Sequence, residues 1–125
     1  MKILMVTSET VPFAKTGGLA DAVSALAISM KKMGHDVRIV LPRYYKIDRS
    51  KLTKLEGPMG VAAGQVEAWC AVYESKLPGT EVPVYFIDHE EAFGRDGIYG
   101  TKTETDFHDN PYRSALLCHG AFQLC

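Results

Sequence analysis

Between Ile3 and Leu41 the chain carries two short apolar runs on either side of one amphipathic stretch, and that order leaves few ways to fold. Ile3 to Thr7 is apolar without alternation, the pattern of a strand buried on both faces. Leu19, Val23, Leu26, Ala27, Met30 and Met33 then recur at spacings of three and four, which predicts a helix with one apolar stripe. Thr16 or a glycine can start that helix, and Asp21 falls in its first turns, where negative charge suits the helix dipole. Lys31 and Lys32 sit near its end, and Gly34 is a natural residue to follow the C-cap. Val37 to Leu41 is the second apolar run, stopped by Pro42. Strand, helix and strand with a crossover of this length form a βαβ unit, whose strands are parallel and whose connection is right-handed.

The rest of the chain is less regular. Tyr44 to Gly60 is polar and punctuated by Gly57 and Pro58, so it is read as a loop or a short helix. Gln65 to Lys76 alternates loosely around Trp69, Val72 and Tyr73, and Val82 to Ile87 reads as another strand after the Pro78-Gly79 turn. These two either form a hairpin or both join the main sheet. Asp88 to Thr105 is mixed, with glycines at 94, 97 and 100, and reads as a surface loop with at most one helical turn. Asn110-Pro111 predicts a helix start, followed by a helix over Tyr112 to Cys125 in which Leu116 and Phe122 face a core. That apolar helix has no stop signal, which is the pattern of a chain cut short. Trp69, Tyr73, Tyr85 and Phe86 are read as sheet packing, and Glu90-Glu91 as a solvated helix start.

The segment between the first strand and the first helix is the one that points to chemistry. It contains Lys15, Thr16, Gly17 and Gly18. A loop after a buried parallel strand lies at the carboxyl edge of the sheet, where ligands bind in open α/β folds. The following helix turns its free N–H groups and positive dipole end to that edge. Gly17 and Gly18 leave the backbone bare, and Lys15 adds a cation on a long stem. The set suits a phosphate or diphosphate. A tight turn beside a solvated lysine is the alternative, and the residues alone leave both open. Neither G-x-G-x-x-G nor G-x-x-x-x-G-K-[ST] is present, so a dinucleotide fingerprint and a P-loop are disfavoured.

Composition removes several other classes. A net charge of −1 leaves no footprint for nucleic acid or an anionic membrane. The 46% hydrophobic and 23% charged residues of this 125-residue chain suit one packed domain. Cys70, Cys118 and Cys125 are odd in number and lack C-x-x-C spacing, and His35, His89, His108 and His119 are scattered. No disulfide framework or metal site is expected, and no cofactor. The opening apolar run is too short for a signal peptide, and no segment reaches membrane-spanning length, so a cytoplasmic protein is expected.

Lys15-Thr16-Gly17-Gly18-Leu19-Ala20-Asp21 resembles the amino-terminal signature of bacterial glycogen synthases and plant starch synthases. Further likeness runs through M-K-I-L-M-V-T-S-E at 1–9, G-H-D-V-R-I-V-L-P-R-Y at 34–44, V-Y-F-I-D-H at 84–89, F-G-R-D-G-I-Y-G at 93–100 and D-N-P-Y-R at 109–113. The resemblance covers nearly the whole chain in order. It implies a GT-B glycosyltransferase, with two Rossmann-like domains and the active site in the cleft between them. The implied reaction moves glucose from ADP-glucose to the non-reducing end of an α-1,4-glucan with retention of configuration.

On this reading residues 1–125 are an incomplete amino-terminal domain: an α/β, Rossmann-like, open and mainly parallel sheet flanked by helices. The carboxy-terminal domain is absent. The resemblance places Lys15, Gly17 and Gly18 at the ADP-glucose site. Asp21 matches the motif, but it is read as a first-turn dipole partner rather than a catalytic acid. The family's catalytic positions lie beyond this stretch, so no catalytic residue is expected within the chain, and the isolated chain is expected to be inactive. His108 and His119 are not read as substitutes. Phe93, Arg95 and Tyr99 have no assigned role, although Arg95 could help hold an anion. Apolar surface meant for further strands is expected to be exposed. A non-catalytic nucleotide- or glucan-binding module, and a related GT-B enzyme with another donor, are the competing readings.

Overall fold

The computed structural model describes residues 1–125. Its elements are β1 (Lys2–Val6), α1 (Gly18–Lys32), β2 (Asp36–Pro42), β3 (Thr53–Lys54), β4 (Met59–Ala63), β5 (Val66–Lys76), β6 (Pro83–Asp88), α2 (Glu90–Phe93) and α3 (Asn110–Leu124). The βαβ unit is present: β1 and β2 pair in parallel, with Ile3 opposite Val37 and Val6 opposite Val40. Gly34 follows the α1 C-cap with φ +92, a conformation that a Cβ would strain.

The sheet is mixed, in the order β1-β2-β6-β5-β3. β6 continues the parallel half beside β2. β5 then reverses direction, pairing antiparallel with β6, with β3 and, through its first residues, with β4. The two alternatives left open for the 65–87 region are therefore both realised, because β5 and β6 form a hairpin within the main sheet. β3, within the polar 44–60 stretch, and β4, which runs from the end of that stretch to Ala63, pair with the long β5. A two-residue strand and a strand of small residues carry too little pattern to announce themselves.

Period-two alternation decides the two cores. Val37, Ile39 and Leu41 of β2 and Val84 and Phe86 of β6 meet Val23 and Ala27 of α1 on one face. Val40 and Ile87 point to the other face, where Leu116, Leu117 and Ala121 of α3 cover them together with Phe93 of α2. Gly120 lets α3 settle there, since a Cβ on it would lie 2.6 Å from Ile87 Cδ1.

Four expectations about burial need correction. β1 is an edge strand rather than one buried on both faces, and Leu4 and Val6 are exposed. α1 buries Ala20, Val23, Ser24 and Ala27, while Leu19, Leu26 and Met33 face solvent. The helix approaches the sheet through its small residues, so its burial axis is rotated away from its largest ones. Trp69 is exposed where β5 leaves the main sheet to pair with β4, and Phe122 is exposed on the outer side of α3. The α3 N-cap is Asp109, with Asn110 and Pro111 in the first turn.

Candidate functional site

Three segments converge at the carboxyl edge of the parallel strands: the loop after β1, the segment after β2 and the stretch between α2 and α3. Main-chain pairing carries the first of these one residue past β1, where the Thr7 amide donates to Val40 O at 3.0 Å. The loop then folds onto α1. Thr10 Oγ1 lies 2.7 Å from Ser24 Oγ, which also donates to Val11 O at 3.0 Å. Thr10 and Ser24 are buried, so these short polar contacts fix where the loop re-enters the helix.

Gly17 is the α1 N-cap, and its extended φ of −164 is open to any residue. Backbone strain therefore gives no reason for glycine at this position. Space gives none either, since a Cβ built on Gly17 or Gly18 meets nothing within 4 Å; what the glycines leave is backbone uncovered by side chain. The backbone is bare and faces solvent, at the end of a helix whose first N–H groups lack intrahelical acceptors. Lys15 stands beside it, its Nζ donating to Asp21 Oδ2 at 2.6 Å, with both side chains about half exposed. The four sequence-predicted site residues are thus brought together, with Asp21 turned to Lys15.

A cavity of about 250 Å³ opens beside this loop, lined by Phe13, Lys15, Thr16, Tyr44, Lys46 and Arg95 among others. Its cations are not equally available. Lys46 sits 3.5 Å from Asp96 with both groups well exposed, a weak and easily opened pair. Arg95 is held in a two-pronged contact by Asp109, at 2.6 and 2.5 Å, and stacks over Phe107. That engagement argues against Arg95 as a free anion ligand. The Arg95 guanidinium, through its hydrogen bonds, holds the Asp109 carboxyl below its usual range. A larger groove of about 530 Å³ lies against Lys2, Leu4 and Asp36, toward the amino ends of the strands and away from this loop.

Glu9 was not singled out from the sequence, yet it organises the loop. Its Oε1 accepts from the Thr16 and Gly17 amides, both at 3.2 Å, and its Oε2 from Thr16 Oγ1 at 2.7 Å and the Tyr99 hydroxyl at 2.9 Å. Burial pushes its carboxyl up, but these hydrogen bonds outweigh that and hold it below the ordinary range. The one available signal was a carboxylate placed directly after a strand and before a glycine loop. Tyr99 thereby gains a role as a donor to Glu9. Phe93 is a core residue, and His108 and His119 lie exposed at the surface.

The family described as starch synthase catalytic domain matches residues 2–125. The chain belongs to that family. Among glycogen synthases, the protein from Treponema denticola is 62% identical over 125 residues, which are all of this chain and 26% of that one. Glycogen synthase 1 of Geobacter metallireducens is 48% identical across 99% of this chain and 25% of its own length. The chain therefore spans about a quarter of the length of these relatives. Within the starch synthase family, the catalytic domain of starch synthase IV from Arabidopsis thaliana, solved bound to ADP and acarbose, matches with a TM-score of 0.82. That match has 25% identity and covers 98% of this chain and 24% of the other. No helix of the chain is long and apolar enough to cross a membrane.

Proposed function

We propose that the loop from Lys15 to Gly18 binds the diphosphate of ADP-glucose in a retaining glucosyltransferase that extends an α-1,4-glucan. The observation that carries this is the bare Gly17–Gly18 backbone at the start of α1 with a lysine beside it. Breaking the glucose–phosphate bond leaves negative charge on the departing ADP. Oriented amides and an ammonium stabilise that charge as it grows, without transferring a proton. Lys15 must exchange Asp21 for phosphate to do so, and an exposed pair worth about 0–1 kcal/mol permits it.

In this reading the chain supplies one wall of the cleft, residues 1–125 being part of an amino-terminal domain, and a second α/β domain supplies the catalytic groups. The coverage of a quarter of the relatives' length supports that division. The ADP named with the starch synthase IV structure supports the nucleotide. The cytoplasm is the compartment proposed. Titrating the 125-residue chain with ADP should shift the amide signals of Gly18 and Leu19 and leave those of β5 unmoved. Shifts elsewhere, or none, would remove the assignment.

A further inference from the structure

Glu9 is a buried carboxylate with no cation to pair with. It is 2% exposed, and no lysine, arginine or histidine lies within ion-pair reach of it. Only neutral donors reach it: the two amides of Thr16 and Gly17, the Thr16 hydroxyl and the Tyr99 hydroxyl. Four donors on two oxygens use most of a carboxylate's accepting capacity and offset the cost of burying its charge. The amides it occupies are those a phosphate on this loop would otherwise seek.

We infer that Glu9 is a positioning residue, a permanent internal anion that fixes the two amides ahead of α1 so that Lys15, Gly18 and the amides after it are left for an incoming diphosphate. This rests on the nucleotide reading above. An arriving phosphate finds the Thr16 and Gly17 N–H groups already taken, and repulsion from the buried charge keeps it on the solvent side of the loop. Because the loop is held before the ligand comes, less ordering is left to oppose binding. Tyr99 extends the network: its hydroxyl donates to Glu9 and lies 2.5 Å from Ser8 Oγ. Ser8 O in turn accepts from the Tyr44 hydroxyl at 2.6 Å. The titratable groups facing Glu9 are therefore Tyr99 and Tyr44, while Lys15 is turned outward to Asp21.

The test follows the amides of the ¹⁵N-labelled 125-residue chain against pH and against ADP. Thr16 and Gly17 should titrate with one midpoint below the usual carboxylate range. Glu9→Gln should abolish that titration and weaken ADP binding by roughly tenfold. Tyr99→Phe removes one donor and keeps the charge, so it should raise the common midpoint, and it serves if Glu9→Gln does not fold. Amides that ignore pH, or a Glu9→Gln chain that binds ADP like the parent, overturn the role of Glu9. A parent chain that ignores ADP while both amides titrate together overturns the nucleotide reading instead and leaves the loop-fixing role in place.

Discussion

The Lys15 ammonium reaches across the first turn of α1 to Asp21, 2.6 Å away, and both side chains remain about half exposed. Such a pair contributes little to stability, so its interest lies in what Asp21 withholds from a ligand. Asp21→Asn should change the unfolding free energy by less than about 1 kcal/mol and tighten ADP binding severalfold. Lys15→Ala should weaken ADP binding. Calorimetry on both variants decides the matter: equal losses of affinity would make Asp21 a direct ligand contact.

Gly18→Ala separates folding from binding. Gly18 opens α1 and an added methyl would meet nothing within 4 Å. Alanine in a helix is favoured over glycine, so the variant should be more stable by about 0.5 kcal/mol. The same methyl would cover the amide face offered to a diphosphate, and ADP affinity should fall. Denaturant unfolding together with an ADP titration reads both. A rise in stability with unaltered affinity would mean the glycine is unrelated to ligand.

Arg43 and Asp88 are buried against each other where β2 and β6 end, with Arg43 Nη2 3.1 Å from Asp88 Oδ1. Arg49 Nε adds a contact at 2.9 Å to the other Asp88 oxygen. Asp88→Asn would leave the Arg43 charge short of a partner and should cost about 3 kcal/mol. Glu90, 3.0 Å from Arg43 Nη2, remains as a partial partner and keeps the loss from being larger. Urea unfolding at neutral pH measures it.

Acid should destabilise the chain through Glu9 and Asp109. Both carboxyls are held below their ordinary range, Glu9 by hydrogen bonds that outweigh its burial and Asp109 first by its hydrogen bonds with Arg95. A depressed native pKa means that the unfolded chain binds more protons. Their contribution is complete above the ordinary range, about pH 4, and is lost as pH falls through the native values. Unfolding followed by circular dichroism from pH 7 down to pH 2 should show this loss, with a shallower slope in Glu9→Gln.

Period and punctuation made the βαβ unit, the α1 boundaries and the Gly34 cap legible, because each depends on residues within a few positions of one another. The loop residues Lys15, Gly17 and Gly18 were legible for the same reason. Glu9 was not, since its meaning depends on Tyr99, 90 positions away in sequence. Nor was the buried face of α1: Leu19 and Leu26 compete with Ala20 and Ala27 for the sheet, and the packed helix buries the small ones.

The residues by themselves determined local conformation and the kind of chemistry on offer: two strands, a helix between them, and a bare backbone with a cation at the edge. Tertiary structure decided the strand order, which leaves β1 at the edge of the sheet, and the internal carboxylate that takes two of the loop's amides. The division is physical. Torsional preference and hydrophobic periodicity act over a few residues, whereas pairing and charge burial depend on which distant segments the packed core brings within hydrogen-bonding distance.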